Sequence, residues 1–182
     1  PEGRHIHWFS THFSGYDRRK HDAGLAHYLP VNLGEVPDYY RRFIEPPDIV
    51  VFKAAAMDAD GFFNFGPSTI WMRALVEMGK VIIVEETPSM PYVYGTGTGV
   101  HVSEVDYIIP GFDLAMAELP KSPVTEVDKA VARLIAAEVE DGSCLQIGIR
   151  GMPNAVCTLL AESPVKDLGI HTEMMTDGIV DL

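Results

Sequence analysis

The stretch from Leu145 to Gly178 holds the residues whose types and spacing point to chemistry. It reads as a strand, the turn Gly148-Ile149-Arg150-Gly151, a helix opened by Met152 or Pro153, a second strand, and then Glu173. In a right-handed strand–helix–strand unit both strands run the same way. Their carboxyl ends then share one sheet edge, where open α/β sheets bind ligands. Gly148 to Met152 leave the first strand at that edge, and Glu173 leaves the second. If the strands are neighbours they lie about 4.8 Å apart. Backbone N–H groups at a helix start would then sit beside a carboxylate. Gly148 and Gly151 would let the backbone approach a ligand closely. Such N–H groups stabilise an oxyanion, and a carboxylate beside them can act as nucleophile or base. The bland alternative is a linking turn and a solvated glutamate.

Other motifs compete less well. Dinucleotide binding would use Glu173 on a ribose, near the expected offset of about 20 residues after the glycine turn. The turn, however, is Gly-x-x-Gly-x-Pro, with Arg150 where a glycine is wanted. Gly95-Thr96-Gly97-Thr98-Gly99 precedes His101-Val102-Ser103-Glu104 rather than a helix, so it reads as a flexible loop. His5 and His7 share a strand face with His12 nearby, and His171 shares one with Glu173; neither set completes a metal site. No Gly-x-Ser-x-Gly nucleophile turn is present. The run Asp17 to Asp22 reads as a solvated helix face, and Phe62, Phe63 and Phe65 as core.

The elements that must position these residues alternate along the chain. Strands are expected at 5–10, 48–53, 80–85, 105–109, 144–148 and 167–172. Helices are expected at 15–23, 35–43, from Ser68 or Thr69 to Met78, from Thr125 to Gly142, to Ala161, and from Thr176. The β-branched run Lys80 to Glu85 is typical of a parallel strand buried on both faces. Thr125 and Asp128 are spaced as a capping box. Val127, Val131, Leu134, Ile135 and Val139 fall on one helical face. Phe112 to Pro123 lacks periodicity and reads as a linker. The alternation implies parallel strands with helical crossovers, so the class is α/β.

Composition narrows the function classes. The chain has 182 residues, 26 acidic against 14 basic, and a formal charge of -12. That balance belongs to a folded protein and argues against a nucleic-acid partner. No apolar run approaches the ~20 residues that span a bilayer, so no membrane partner is expected. Two cysteines, Cys144 and Cys157, suit a reducing, cytoplasmic setting as small core residues. The chain opens on Pro1 and stops at Leu182 as an apolar pattern resumes, so both ends read as cut.

These segments carry a resemblance. Gly148-Ile149-Arg150-Gly151-Met152-Pro153-Asn154-Ala155-Val156, followed by residues 168–178 with His171-Thr172-Glu173-Met174, resembles the acetyl-CoA hydrolase/transferase family. Within it the likeness is to 4-hydroxybutyrate and butyryl-CoA:acetate CoA-transferases. His101-Val102-Ser103-Glu104-Val105-Asp106-Tyr107, the turn Asp58 to Gly66, and Tyr28 to Pro37 resemble further motifs of the family, in its order.

The resemblance implies a two-domain CoA-transferase fold with mainly parallel sheets, only partly present. Residues 1–117 would be the N-terminal domain without its beginning, and 122–182 the start of the catalytic domain without its remainder. It implies that Glu173 is the covalent nucleophile, and that Gly148, Ile149, Arg150, Gly151 and Met152 form the CoA and oxyanion loop. The implied activity moves CoA between a short-chain acyl-CoA and a small carboxylate (the 4-hydroxybutyrate, butyrate or acetate class) through a glutamyl-CoA thioester. The alternatives are an acyl-CoA hydrolase on the same scaffold, or a non-catalytic domain that binds CoA or nucleotide. No cofactor is expected beyond coenzyme A as a substrate, and no metal. The full-length form is expected to be a homo-oligomer, and this piece alone inactive. Arg150 departs from the family, whose loop has a glycine there.

Overall fold

The structure is a computed structural model that describes residues 6–112, 114–116, 118 and 122–182. It divides into two compact units, Pro1–Met116 and Ala117–Leu182. Their elements mix helices with mainly parallel sheets, which is the α/β class.

The first unit begins with β1 (Trp8–Ser10), α1 (Gly15–Asp22) and β2 (Ala26–Tyr28). β1 and β2 pair in parallel, with Trp8 opposite Ala26. Ser14 caps α1, and its backbone N–H donates to Asp17 at 2.8 Å. The strand expected from His5 is only Trp8–Ser10, and His5 lies outside the described residues. After α2 (Val36–Phe43), with Pro37 in its first turn, comes β3 (Ile49–Ala54). It joins β5 (Val81–Glu86) and β7 (Tyr107–Pro110) in a three-stranded parallel sheet ordered β3-β5-β7. β4 (Phe62–Asn64) pairs antiparallel with β6 (Gly99–His101). α3 covers Met72–Met78, starting later than Ser68 or Thr69, because a turn closed by Met72 N–H on the Thr69 carbonyl fills the interval.

One face of the β3-β5-β7 sheet makes the core. Val50, Phe52, Ala54, Ile82 and Val84 pack there with Phe63, Phe65, Val76 and Val100. The central strand β5, the one expected to be buried on both sides, alternates buried Ile82 and Val84 with half-buried Val81 and Ile83 on the other face, and the exposed side chains belong to the outer strands. Ile49 and Val51 of β3 and Tyr107 of β7 are 60%, 59% and 61% exposed.

The second unit contains α4 (Glu126–Ala136), β8 (Cys144–Leu145), α5 (Gly151–Ala161), β9 (Gly169–Ile170) and α6 (Asp177–Asp181). The capping box forms as expected: Thr125 N–H and hydroxyl donate to Asp128 at 2.8 and 2.7 Å, and Asp128 N–H donates back at 3.1 Å. The helix ends at Ala136, not at Gly142. Its buried face also differs from the expected one. Val127 and Leu134 are each 72% exposed, whereas Ala132 is fully buried with Ala155, Val156 and Leu160 of α5. Small residues let the two helices approach closely, so alanine rather than the larger side chains takes the contact. Cys157 is buried, and burial pushes its thiol pKa up, as befits an inert core residue. Cys144 is exposed, contrary to its expected core role.

Candidate active site

β8 and β9 are parallel neighbours, with Cys144 opposite Gly169 and Leu145 opposite Ile170. The ladder continues on both sides of this short pairing. Gly169 N–H donates to the Ser143 carbonyl at 2.9 Å, and His171 N–H to the Leu145 carbonyl at 2.9 Å. The next acceptor in that series is the Ile147 carbonyl, and the next donor would be the Glu173 amide. Instead the Thr172 hydroxyl donates to Ile147 at 2.7 Å. A side chain thus closes the ladder one step early and releases the backbone of Glu173 from it. Gly148 and Glu173 each follow one residue after this bond, at the carboxyl edge of the sheet. Glu173 is exposed there.

The loop between β8 and α5 has an unusual backbone. Arg150 has φ +101° and ψ -172°, a region that essentially only glycine adopts without strain. Neither Gly148 nor Gly151 has positive φ. A Cβ on Gly151 would lie 2.8 Å from the Pro123 carbonyl and 3.2 Å from Asp128 Oδ2, so this glycine serves the packing of α5 against the segment before α4. A Cβ on Gly148 would meet only Pro153 Cγ, at 3.6 Å. The space beside Gly148 is thus more open than that beside Gly151.

The start of α5 carries free donors. Pro153 has no N–H, and the Asn154 N–H already reaches the Arg150 carbonyl at 3.4 Å. Among the described residues no acceptor meets the amides of Gly148, Ile149, Arg150, Gly151 or Met152. These donors, on a helix start, favour an oxygen that bears negative charge. Sequence reading missed two neighbours. Asn154 Oδ1 and Thr176 Oγ1 are buried without a hydrogen-bond partner among the described residues. No local pattern distinguishes them, because the burial arises where α5 meets Gly178 of α6; a Cβ on Gly178 would lie 3.3 Å from Asn154 Oδ1.

The remaining candidates lie apart from this edge. The groove lined by Val124, Lys129, Arg133, Ala155, Thr158 and Leu159 includes neither Glu173 nor any loop residue from 148 to 152. Among the described residues no group of three His, Cys, Asp or Glu could hold a metal ion. None of the described helices is long and apolar enough to cross a membrane.

Residues 3–118 match the model of the acetyl-CoA hydrolase/transferase N-terminal domain. The chain belongs to the acetyl-CoA hydrolase/transferase family. It is 46% identical over 180 residues to the butyryl-CoA:acetate CoA-transferase of Anaerostipes caccae, an alignment that covers 98% of this chain and 40% of that protein. Among solved structures it is similar to RipA from Yersinia pestis, with TM-score 0.81 and 32% identity over 90% of this chain and 38% of that one. It is likewise similar to a 4-hydroxybutyrate CoA-transferase from Porphyromonas gingivalis, with TM-score 0.79 and 30% identity over 96% of this chain and 44% of that one. The chain thus spans about two fifths of the length of the curated relative above. In this family member the site edge lies beyond the matched N-terminal domain, in the second unit.

Proposed function

We propose that the full-length protein is a CoA-transferase that moves CoA between a short-chain acyl-CoA and a small carboxylate. Glu173 is its covalent nucleophile. The backbone amides of Gly148, Ile149, Arg150, Gly151 and Met152 hold the oxyanions. The observation that carries this reading is the parallel pairing of β8 and β9, closed by the Thr172–Ile147 bond, which brings the free amides and Glu173 to one sheet edge.

The chemistry runs in balanced steps. A Glu173 carboxylate oxygen attacks the thioester carbonyl; the C–S bond breaks, CoA leaves as thiolate, and a mixed anhydride remains. The thiolate attacks the glutamyl carbonyl; the acyl group leaves as a free carboxylate, and a glutamyl-CoA thioester remains. An acceptor carboxylate then attacks that thioester and expels the thiolate. The thiolate finally attacks the acceptor's carbonyl, which regenerates the Glu173 carboxylate. Each addition puts negative charge on a carbonyl oxygen, the charge that preorganised amides stabilise best. The names of the relatives support butyryl-CoA and acetate as the first substrates to try.

The test is incubation of the full-length protein with butyryl-CoA, followed by peptide mass spectrometry. A CoA adduct on Glu173, absent in Glu173→Gln, is the expected result. An adduct that persists in Glu173→Gln removes this residue as nucleophile. Thioester loss at the same rate with and without acetate would make the protein a hydrolase on the same scaffold.

A further inference from the structure

We propose that Arg150 determines specificity for the acceptor, its guanidinium receiving the acceptor's carboxylate at the sheet edge beside Glu173. This rests on the transferase reading above.

The chain carries -12 overall, and Glu173 is the carboxylate of the two segments that meet at the edge, 147–153 and 171–176. An acceptor must bring another carboxylate into that field, which opposes its approach. Arg150 is the sole Lys or Arg in either segment.

Arg150 is not otherwise engaged; among the described cations Arg19 and Lys166 also lack a side-chain partner, and neither belongs to the two segments that meet at the edge. Arg41, Arg73, Lys53, Lys80 and Lys129 all pair with carboxylates. Arg18, Lys20 and Arg42 lie over aromatic rings. Arg150 is exposed and has no such partner among the described residues. Packing therefore does not explain why a long cation occupies a backbone conformation suited to glycine.

The position of residue 150 decides between sources of the anion. A guanidinium fork matches carboxylate and phosphate alike. The phosphates of CoA, however, lie at the far end of the pantetheine arm from the sulfur. Residue 150 lies three residues beyond Ile147, and the Thr172–Ile147 bond ties the start of its loop to the residue before Glu173, the reacting end. The anion present at that end is the acceptor carboxylate, or the released acid in the reverse direction.

The experiment is steady-state kinetics of the full-length protein, varying acetate and butyryl-CoA in turn, for wild type, Arg150→Gly, Arg150→Gln and Arg150→Lys. Loss of one charge-assisted pair is expected to raise the acetate KM about tenfold in Arg150→Gly, and by more than the butyryl-CoA KM. Arg150→Gln, which keeps a side-chain stem, shows the same split, and Arg150→Lys recovers part of it. Added salt raises the acetate KM of wild type more than that of Arg150→Gly. An acetate KM that rises no more than the butyryl-CoA KM overturns the proposal, and a butyryl-CoA KM that rises alone assigns the guanidinium to a CoA phosphate. A wild-type protein that forms no Glu173 adduct with butyryl-CoA alone overturns the transferase reading itself, before any variant is compared.

Discussion

The Thr172 hydroxyl donates to the Ile147 carbonyl at 2.7 Å, and so substitutes a side chain for the backbone bond that would have carried the β8–β9 ladder through residue 173. This one contact ends the sheet and ties the loop 148–152 to the segment that bears Glu173. A strand that ran one step further would spend the Glu173 amide on the ladder and hold that residue in the plane of the sheet.

Thr172→Val should therefore cost about 1 kcal/mol of stability, the usual worth of a hydrogen bond of this kind. In the full-length protein it should also slow adduct formation at Glu173, while Thr172→Ser should restore both. Denaturant midpoints and single-turnover mass spectrometry check this. A Thr172→Ser variant as slow as Thr172→Val would show that the methyl group, not the hydroxyl, does the positioning.

Arg150→Gly should make the protein more stable. Relief of the backbone conformation is worth about 1–3 kcal/mol. Against this stands the added freedom of glycine in the unfolded chain, about 0.5–1 kcal/mol. The net expectation is a gain of about 1 kcal/mol, measured by urea unfolding. A lower midpoint in Arg150→Gly would mean that the residue is not strained at φ +101°.

The two glycines of the loop should respond oppositely to a methyl group. In Gly151→Ala the new Cβ would press on the Pro123 carbonyl at 2.8 Å, an overpacking that typically costs about 1–3 kcal/mol. In Gly148→Ala the contact with Pro153 is an ordinary 3.6 Å, so stability should move by less than about 0.5 kcal/mol. Equal losses from the two changes, seen in thermal or urea unfolding, would contradict the division of roles drawn from the geometry.

That division shows where sequence reading reaches and where it stops. The Thr125–Asp128 box was legible because both partners lie within one helical turn. The alternation of strand and helix was legible because each long element repeats its own period. The role of Gly151 was not, since its neighbour Pro123 is distant along the chain and only the folded backbone brings them together. The face of α4 was misread for a related reason. Periodicity groups Val127 with Leu134 but cannot tell that the small Ala132 gives the closer approach. β2, β4 and β6 have three residues each, too few for a periodic signal. The candidate site was visible as two motifs; the hydroxyl that joins them was not, because any strand threonine looks the same in sequence.

Acid should weaken the first unit through a chain of alternating charges. Arg41 donates to Glu77 at 2.8 Å, Arg73 pairs with Glu77 at 3.4 Å, and Arg73 also pairs with Glu104. The hydrogen bond from Arg41 holds the Glu77 carboxyl below the usual glutamate range, and the bond from Arg73 does the same for Glu104. A carboxyl whose folded pKa is lowered binds fewer protons folded than unfolded near that range, so stability rises with pH there. The contribution is complete above the unfolded value, near 4.3, and is lost as pH falls through the lowered folded values. Glu77 and Glu104 side chains are 42% and 37% exposed, so solvent screening leaves about 0.5–1 kcal/mol between them. Glu77→Gln should therefore destabilise measurably at pH 7 and not at pH 3, and molar salt at pH 7 should shrink the difference. A Glu77→Gln cost that is the same at both pH values would show that the carboxylate's charge contributes nothing to holding α2 against α3.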